Sequence, residues 1–163
     1  MALGSNMRVA GIGPPRGVLG AALEALKDEG LTLHAIAPLV ESAPIGPSHR
    51  RYANSAAVVE CDWMPPDLLA LFQRIERRFG RGRAQRRGQR WRARALDLDI
   101  ILWDKGVWAS PTLTIPHREM RNRDFVLGPA SEVAGAWRDP VTGLTLAQLA
   151  SRLARKQKGR SIP

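Results

Sequence analysis

The 163-residue sequence predicts an α+β fold. Three observations lead there. Apolar residues recur at helical spacing twice, at Val18, Leu19, Ala22, Leu23, Leu26 and at Leu68, Leu69, Phe72, Ile75, Phe79. Short runs of strand character flank these segments. Glycine and proline punctuate the junctions. The order strand–helix–strand–strand–helix–strand matches a ferredoxin-like βαββαβ sandwich with C-terminal additions.

Each element has a local reason. ALGSN (2–6) reads as the end of a short strand entering a loop, kept irregular by Gly11, Gly13, Pro14, Pro15 and Gly17. The first helix follows, and Gly30 stops it. LTLHAIAPLVES (31–42) reads as a strand, with Pro38 marking an edge or a bulge. APIGPSHRR (43–51) is a loop and ANSAAVVECDW (53–63) the next strand. Pro65 and Pro66 open the second helix, because a missing N–H is harmless in a first turn. Gly80 closes it. RGRAQRRGQRWRAR (81–94) has no apolar period and reads as a mobile basic loop. ALDLDIILW (95–103) is a strand, and Asp104-Lys105-Gly106 a turn into VWAS. Residues 111–116 are extended, and 117–134 are expected to hold short helical pieces. DPVTG (139–143) is a turn, and LTLAQLASRLARK (144–156) a terminal amphipathic helix.

Composition narrows the function classes. A hydrophobic content of 44% supports a real core and excludes wholesale disorder. Length predicts one domain over residues 1–163. The net charge of +10 points to an anionic partner, without choosing between nucleic acid, nucleotide and acidic surface. A single cysteine, Cys61, excludes an intrachain disulfide and fits a reducing cytoplasm. No apolar run is long enough for a spanning helix, and the N-terminus lacks the layout of a signal peptide.

Two constellations carry chemistry. Strand alternation puts Asp97 and Asp99 on one face, roughly 7 Å apart. Bare carboxylates so placed would repel and be costly to desolvate, whereas a hard divalent cation wants such oxygen ligands. The alternative is a half-exposed strand whose acids pair with nearby arginines. Ten arginines lie between positions 74 and 94. Their guanidinium forks match phosphate oxygens, and acids beside them suit phosphoryl transfer. The alternative is a solvated basic loop or an RNA contact. His117 follows a proline and can donate to a phosphate oxygen. No Gly-x-x-x-x-Gly-Lys-Ser/Thr motif occurs, so any ATP site needs another scaffold.

From about residue 2 to about 150 the chain resembles the 6-hydroxymethyl-7,8-dihydropterin pyrophosphokinases of folate biosynthesis. Leu3-Gly4-Ser5-Asn6, Pro44-Ile45-Gly46-Pro47 with Tyr52 and Asn54, and Gln73-Arg74-Ile75-Glu76 with Gly80-Arg81 carry the resemblance. So do Arg94-Ala95-Leu96-Asp97-Leu98-Asp99-Ile100, Ile115-Pro116-His117, Asn122-Arg123 and Phe125-Val126-Leu127. It implies ATP as co-substrate and attack by the pterin's hydroxymethyl oxygen on the β-phosphorus, with AMP leaving. By motif, Asp97 and Asp99 would each bind two Mg²⁺ ions. Arg83, Arg90, Trp91, Arg94, His117 and Arg123 would hold ATP, and Arg81 would close over the reacting phosphates. Gln73 and Glu76 would sit at the nucleotide, with Ile100 and Thr114 near adenine. Tyr52 and Phe125 would stack on the pterin and Asn54 would pair with its amide-like edge. Backbone around Ser42, Ala43 and Ile45 would complete the slot.

The sequence departs from the family at several places. Met7-Arg8-Val9 follows the first motif where Leu-Gly-Asp is common, and the first strand is short. Trp91-Arg92-Ala93-Arg94 replaces Trp-Gly-Pro-Arg. A cytoplasmic monomer acting on small molecules, with neither nucleic-acid nor membrane partner, is the resulting expectation. Its rivals are a basic RNA-binding module, a partner-bound folate enzyme and a degenerate member that binds pterin without turnover.

Overall fold

A computed structural model describes residues 1–42, 52–81 and 95–160, and of Ser42, Arg81 and Arg160 only the backbone. The basic segment and the 43–51 loop therefore lie outside the described residues.

Strand β1 (Ala2–Ser5) leads through a glycine-rich loop to helix α1 (Pro15–Asp28). Proline sits in the first turn of α1, as expected for a position that needs no N–H. Gly30, at φ 91°, ends it, and Leu31 N–H closes back on the Leu26 carbonyl at 3.1 Å. The segment read as one strand over 31–42 is two: β2 (Thr32–Ile36) and β3 (Val40–Ser42). Pro38 stands in the break, where a residue without an N–H cannot join the ladder. Strand β4 (Tyr52–Glu60) is the longest, and helix α2 (Pro65–Glu76) starts at the first of its two prolines. A wide turn, Arg77–Arg81, extends α2 until Gly80, at φ 102°.

Strand β5 (Asp97–Asp99) is shorter than the alternation over 95–103 suggested, and a small ladder of β6 (Trp108–Ala109) and β7 (Thr114–Ile115) follows. A 3₁₀ turn, Met120–Asn122, runs into helix α3 (Asp124–Ala134). Helix α3 is one continuous helix, not short pieces. It runs through Pro129 because Val126, Leu127 and Ala130 bury against the sheet and outweigh the lost hydrogen bond. Helix α4 (Leu146–Arg160) begins with a reciprocal cap. Gln148 N–H donates to Thr145 Oγ1 at 3.1 Å, and Thr145 N–H donates to Gln148 Oε1 at 2.9 Å.

The main sheet has the order β2-β4-β1-β5, with β3 on the β2 side of β4, and its paired strands are antiparallel. This is an α+β architecture with helices on both faces. One face carries Leu3, Ala53, Ala57 and Leu98 under α1 and α2, whose Leu19, Leu26, Phe72 and Ile75 are fully buried. The other carries Ala2 and Ala56 under α3 and α4, with Met120, Leu127 and Leu146. Each buried Leu, Ile or Phe contributes roughly 1.5–3 kcal/mol. Among the described residues no helix is long and apolar enough to cross a membrane.

Candidate active site

The site is built by register. Gly4 pairs with Asn54 on one side and Asp97 on the other, and Ala2 pairs with Ala56 and Asp99. Directly paired residues share a face, so Asn54, Asp97 and Asp99 all lie on the α3 side of the sheet. With strands about 4.8 Å apart, Asn54 and Asp97 stand roughly 10 Å from each other across Gly4. Gly4 is the floor between them. A Cβ there would lie 3.2 Å from Asn54 Oδ1. Tyr52 shares the face of Asn54 by alternation, and Phe125 lies on α3, which covers it.

Strand β5 is held from several directions. Buried Ser5 donates its hydroxyl to the Ala95 carbonyl at 2.6 Å, tying the Gly-Ser motif to the entry of β5. From behind, Glu76 Oε1 accepts the Leu98 N–H at 2.9 Å. Glu76 is thus buried beneath the acids, while Gln73 on the same helix is exposed. The side chain of Ile100 is packed in the core, so any contact there with a base runs through its backbone. Thr114 is half-buried in β7.

His117 follows a cis Ile115–Pro116 bond. Its N–H donates to the Ile101 carbonyl at 3.0 Å, anchoring it to the chain that leaves β5. Its Nδ1 accepts the Glu119 N–H at 3.2 Å, so the neutral ring carries its proton on Nε2, ready to donate outward. Arg123 caps α3, its guanidinium 6.0 Å from the centre of the Phe125 ring. Near this corner the buried Asp139 pairs with the half-buried Arg121. Asp139 accepts both Arg121 Nε and Nη2 at 2.7 Å, with the Thr142 hydroxyl at 2.6 Å and the Val141 N–H at 3.1 Å. Burial works to raise the Asp139 pKa, but these donors and the guanidinium charge outweigh it and hold it at about 2. The same pairing raises the pKa of Arg121. Sequence reading treated residues 139–143 as a turn only, and nothing local signalled the partner at Arg121.

Asp97 and Asp99 are half-buried on one face. Among the described residues no third His, Cys, Asp or Glu joins them in a metal-sized cluster. That donor set fits Mg²⁺, which takes one or two carboxylates and completes its shell with water and substrate phosphate. The expectations for Ala43, Ile45, Arg83, Arg90, Trp91 and Arg94, and for the side chains of Ser42 and Arg81, fall outside the described residues.

Comparison with known proteins gives one family. The model of 7,8-dihydro-6-hydroxymethylpterin-pyrophosphokinase matches residues 1–135. A Haemophilus influenzae 2-amino-4-hydroxy-6-hydroxymethyldihydropteridine pyrophosphokinase is 39% identical over 136 residues, 82% of this chain and 79% of the relative. A Pseudomonas aeruginosa protein of the same name is 39% identical over 142 residues, 86% of this chain and 82% of the relative. A Synechocystis one is 35% identical over 130 residues, 80% of this chain but 65% of the relative. The chain belongs to the 7,8-dihydro-6-hydroxymethylpterin-pyrophosphokinase family, whose reaction is pyrophosphoryl transfer to that hydroxymethylpterin.

Proposed function

We propose that this chain transfers the intact pyrophosphoryl group of ATP to the hydroxymethyl oxygen of 6-hydroxymethyl-7,8-dihydropterin, releasing AMP, in folate biosynthesis. The observation that carries the reading is the shared face of Asn54, Asp97 and Asp99 around Gly4. Asn54 meets the amide-like edge of the pterin, while Tyr52 and Phe125 supply aromatic faces. Asp97 and Asp99 hold Mg²⁺, two ions in this reading. When bound, Mg²⁺ neutralises polyphosphate charge and keeps the attacking and leaving oxygens in line. His117 donates from Nε2 to a phosphate oxygen, and Arg123 supplies a second, permanently charged donor. Gln73, Thr114 and the Ile100 backbone border the nucleotide. Glu76 serves it indirectly, through the strand it fastens. By the family resemblance, Arg83, Arg90, Trp91 and Arg94 would hold ATP, Arg81 would close over the reacting phosphates, and backbone around Ser42, Ala43 and Ile45 would complete the pterin slot.

The strand order supports reading the sheet and first two helices as a ferredoxin-like βαββαβ unit within one domain. A cytoplasmic monomer with small-molecule substrates, and without nucleic-acid or membrane partners, completes the proposal. Incubation with ATP, Mg²⁺ and reduced hydroxymethylpterin tests it. AMP and pterin diphosphate should appear in equal amounts. ADP as the nucleotide product, or pterin binding without any product, overturns it.

A further inference from the structure

His117 and Arg123, the two donors that the proposed function sets on phosphate, stand at the ends of one compact turn. Met120 N–H donates to the His117 carbonyl at 3.1 Å, and Arg123 N–H donates to the Met120 carbonyl at 3.4 Å. Between them Asn122 N–H donates to the Glu119 carbonyl at 3.1 Å. Glu119 N–H, which sets the His117 tautomer, belongs to the same turn. A 3₁₀ turn of three residues has few bonds of its own, so tertiary anchors decide how it is aimed. Two are visible. Met120 is fully buried under α3 and α4. Arg121, the next residue, reaches to Asp139 in the connection between α3 and α4.

That connection holds the carboxylate still. Asp139 is fully buried, and each of its oxygens takes two donors. Oδ1 accepts Arg121 Nη2 and the Val141 N–H, while Oδ2 accepts Arg121 Nε and the Thr142 hydroxyl. Its backbone is closed as well. Asp139 N–H donates to the Leu144 carbonyl at 2.9 Å, and its carbonyl accepts the Gly143 N–H at 2.8 Å. The first turn of α4 fastens the connection in turn, with Leu146 N–H on the Trp137 carbonyl at 2.9 Å and Ala147 N–H on that of Gly135 at 3.1 Å. A carboxylate so saturated cannot swivel, and a guanidinium fork seated on it is fixed in direction and in plane. An ammonium would satisfy the charge and fix neither.

We propose that Asp139 is a positioning residue for the nucleotide: through the Arg121 fork it aims the turn that sets His117 and Arg123 against the phosphates. This rests on the phosphate-binding reading of those two residues. Neither Asp139 nor Arg121 touches substrate in it. The pair acts by where it holds the turn, so its geometry matters beyond the charge it neutralises.

The test measures binding of α,β-methylene-ATP with Mg²⁺ by calorimetry on variants of the full chain, beside KM in the AMP assay. The carbon bridge of that analogue blocks transfer, so affinity is read apart from turnover. Asp139→Asn and Arg121→Lys should each weaken nucleotide binding about tenfold, and the double variant should be no weaker than either alone. Arg121→Lys keeps a cation beside the buried carboxylate, so it decides the matter even if Asp139→Asn does not fold. KM for the pterin, whose other contacts lie on β4, should move less than about threefold. Leu26→Ala, in the core under α1, should lower Tm by a similar amount and leave nucleotide affinity within about twofold. Normal affinity in Asp139→Asn, with loss only in Arg121→Lys, overturns the proposal in favour of a direct phosphate contact by Arg121. Full affinity in Arg121→Lys overturns it too, since charge without the fork would then suffice. Equal loss in Leu26→Ala overturns it as general loosening. Unchanged affinity in both variants of a chain that releases AMP overturns this inference alone. Tenfold losses in a chain that releases no AMP uphold the positioning role and overturn the transfer reaction.

Discussion

In the proposed function Asp97 and Asp99 carry opposite demands, since two like charges on one strand face repel and a bound cation would draw on both. Replacing either by Asn removes one of two like charges and keeps the shape. Asp97→Asn and Asp99→Asn should therefore fold with Tm unchanged or raised, while turnover falls on the order of 10³-fold. Circular dichroism melts alongside AMP release would show it, and near-normal turnover in either variant removes the metal-holding role. These acids were legible because strand alternation needs only adjacent sequence. Asp139 was not, since its partner Arg121 is eighteen positions away. Breaking that pair with Asp139→Asn should cost about 3 kcal/mol. Its pH signature has a definite sign. With a folded pKa of about 2 against an ordinary 3.8, the folded chain holds fewer protons in that interval. The stabilisation is full above the ordinary value and is lost as pH falls through about 2. Acid denaturation of Asp139→Asn should lack that share of the slope. An unchanged acid limb would mean the pair contributes nothing to folding.

At the scale of elements, the site depends on holding a three-residue strand at the edge of a sheet. Three residues supply few ladder bonds, so Glu76 reaches from α2 to take the Leu98 N–H. Glutamine retains an acceptor there and alanine does not. Glu76→Ala should lose roughly 1–3 kcal/mol through an orphaned buried N–H and most of the turnover, whereas Glu76→Gln should keep both largely intact. Equal damage from the two would show that the carboxylate charge itself is needed. The helices α1 and α2 were legible from periodicity and their prolines. Helix α3 was legible only in pieces, because the Pro129 signal is local and the burial that overrides it comes from the sheet. The break between β2 and β3 was half legible. Pro38 announces an edge, but which neighbours pair around it depends on β4.

At the scale of the molecule, 25 basic against 15 acidic side chains give +10, and composition alone left nucleic acid and nucleotide open. The sheet narrows this, since acids on the α3 face would repel a bare phosphate backbone and welcome one only with a cation between. What composition could not express is where charge sits relative to the proposed pterin slot around Tyr52, Asn54 and Phe125. The two substrates should therefore respond differently to salt. The Debye length shrinks from about 10 Å at 0.1 M to about 3 Å at 1 M, so attraction of a polyphosphate by a basic surface weakens. The neutral pterin relies on stacking and hydrogen bonds that ions barely screen. Raising KCl from roughly 0.05 to 0.5 M should lift KM for MgATP several-fold, while KM for the pterin moves less than about twofold. Steady-state titration of each substrate against saturating partner measures both. Equal shifts would mean that the net charge does not act on the nucleotide. Tight RNA binding surviving near 0.15 M salt would favour the nucleic-acid reading, because a purely electrostatic contact of a few phosphates loses affinity steeply over that range.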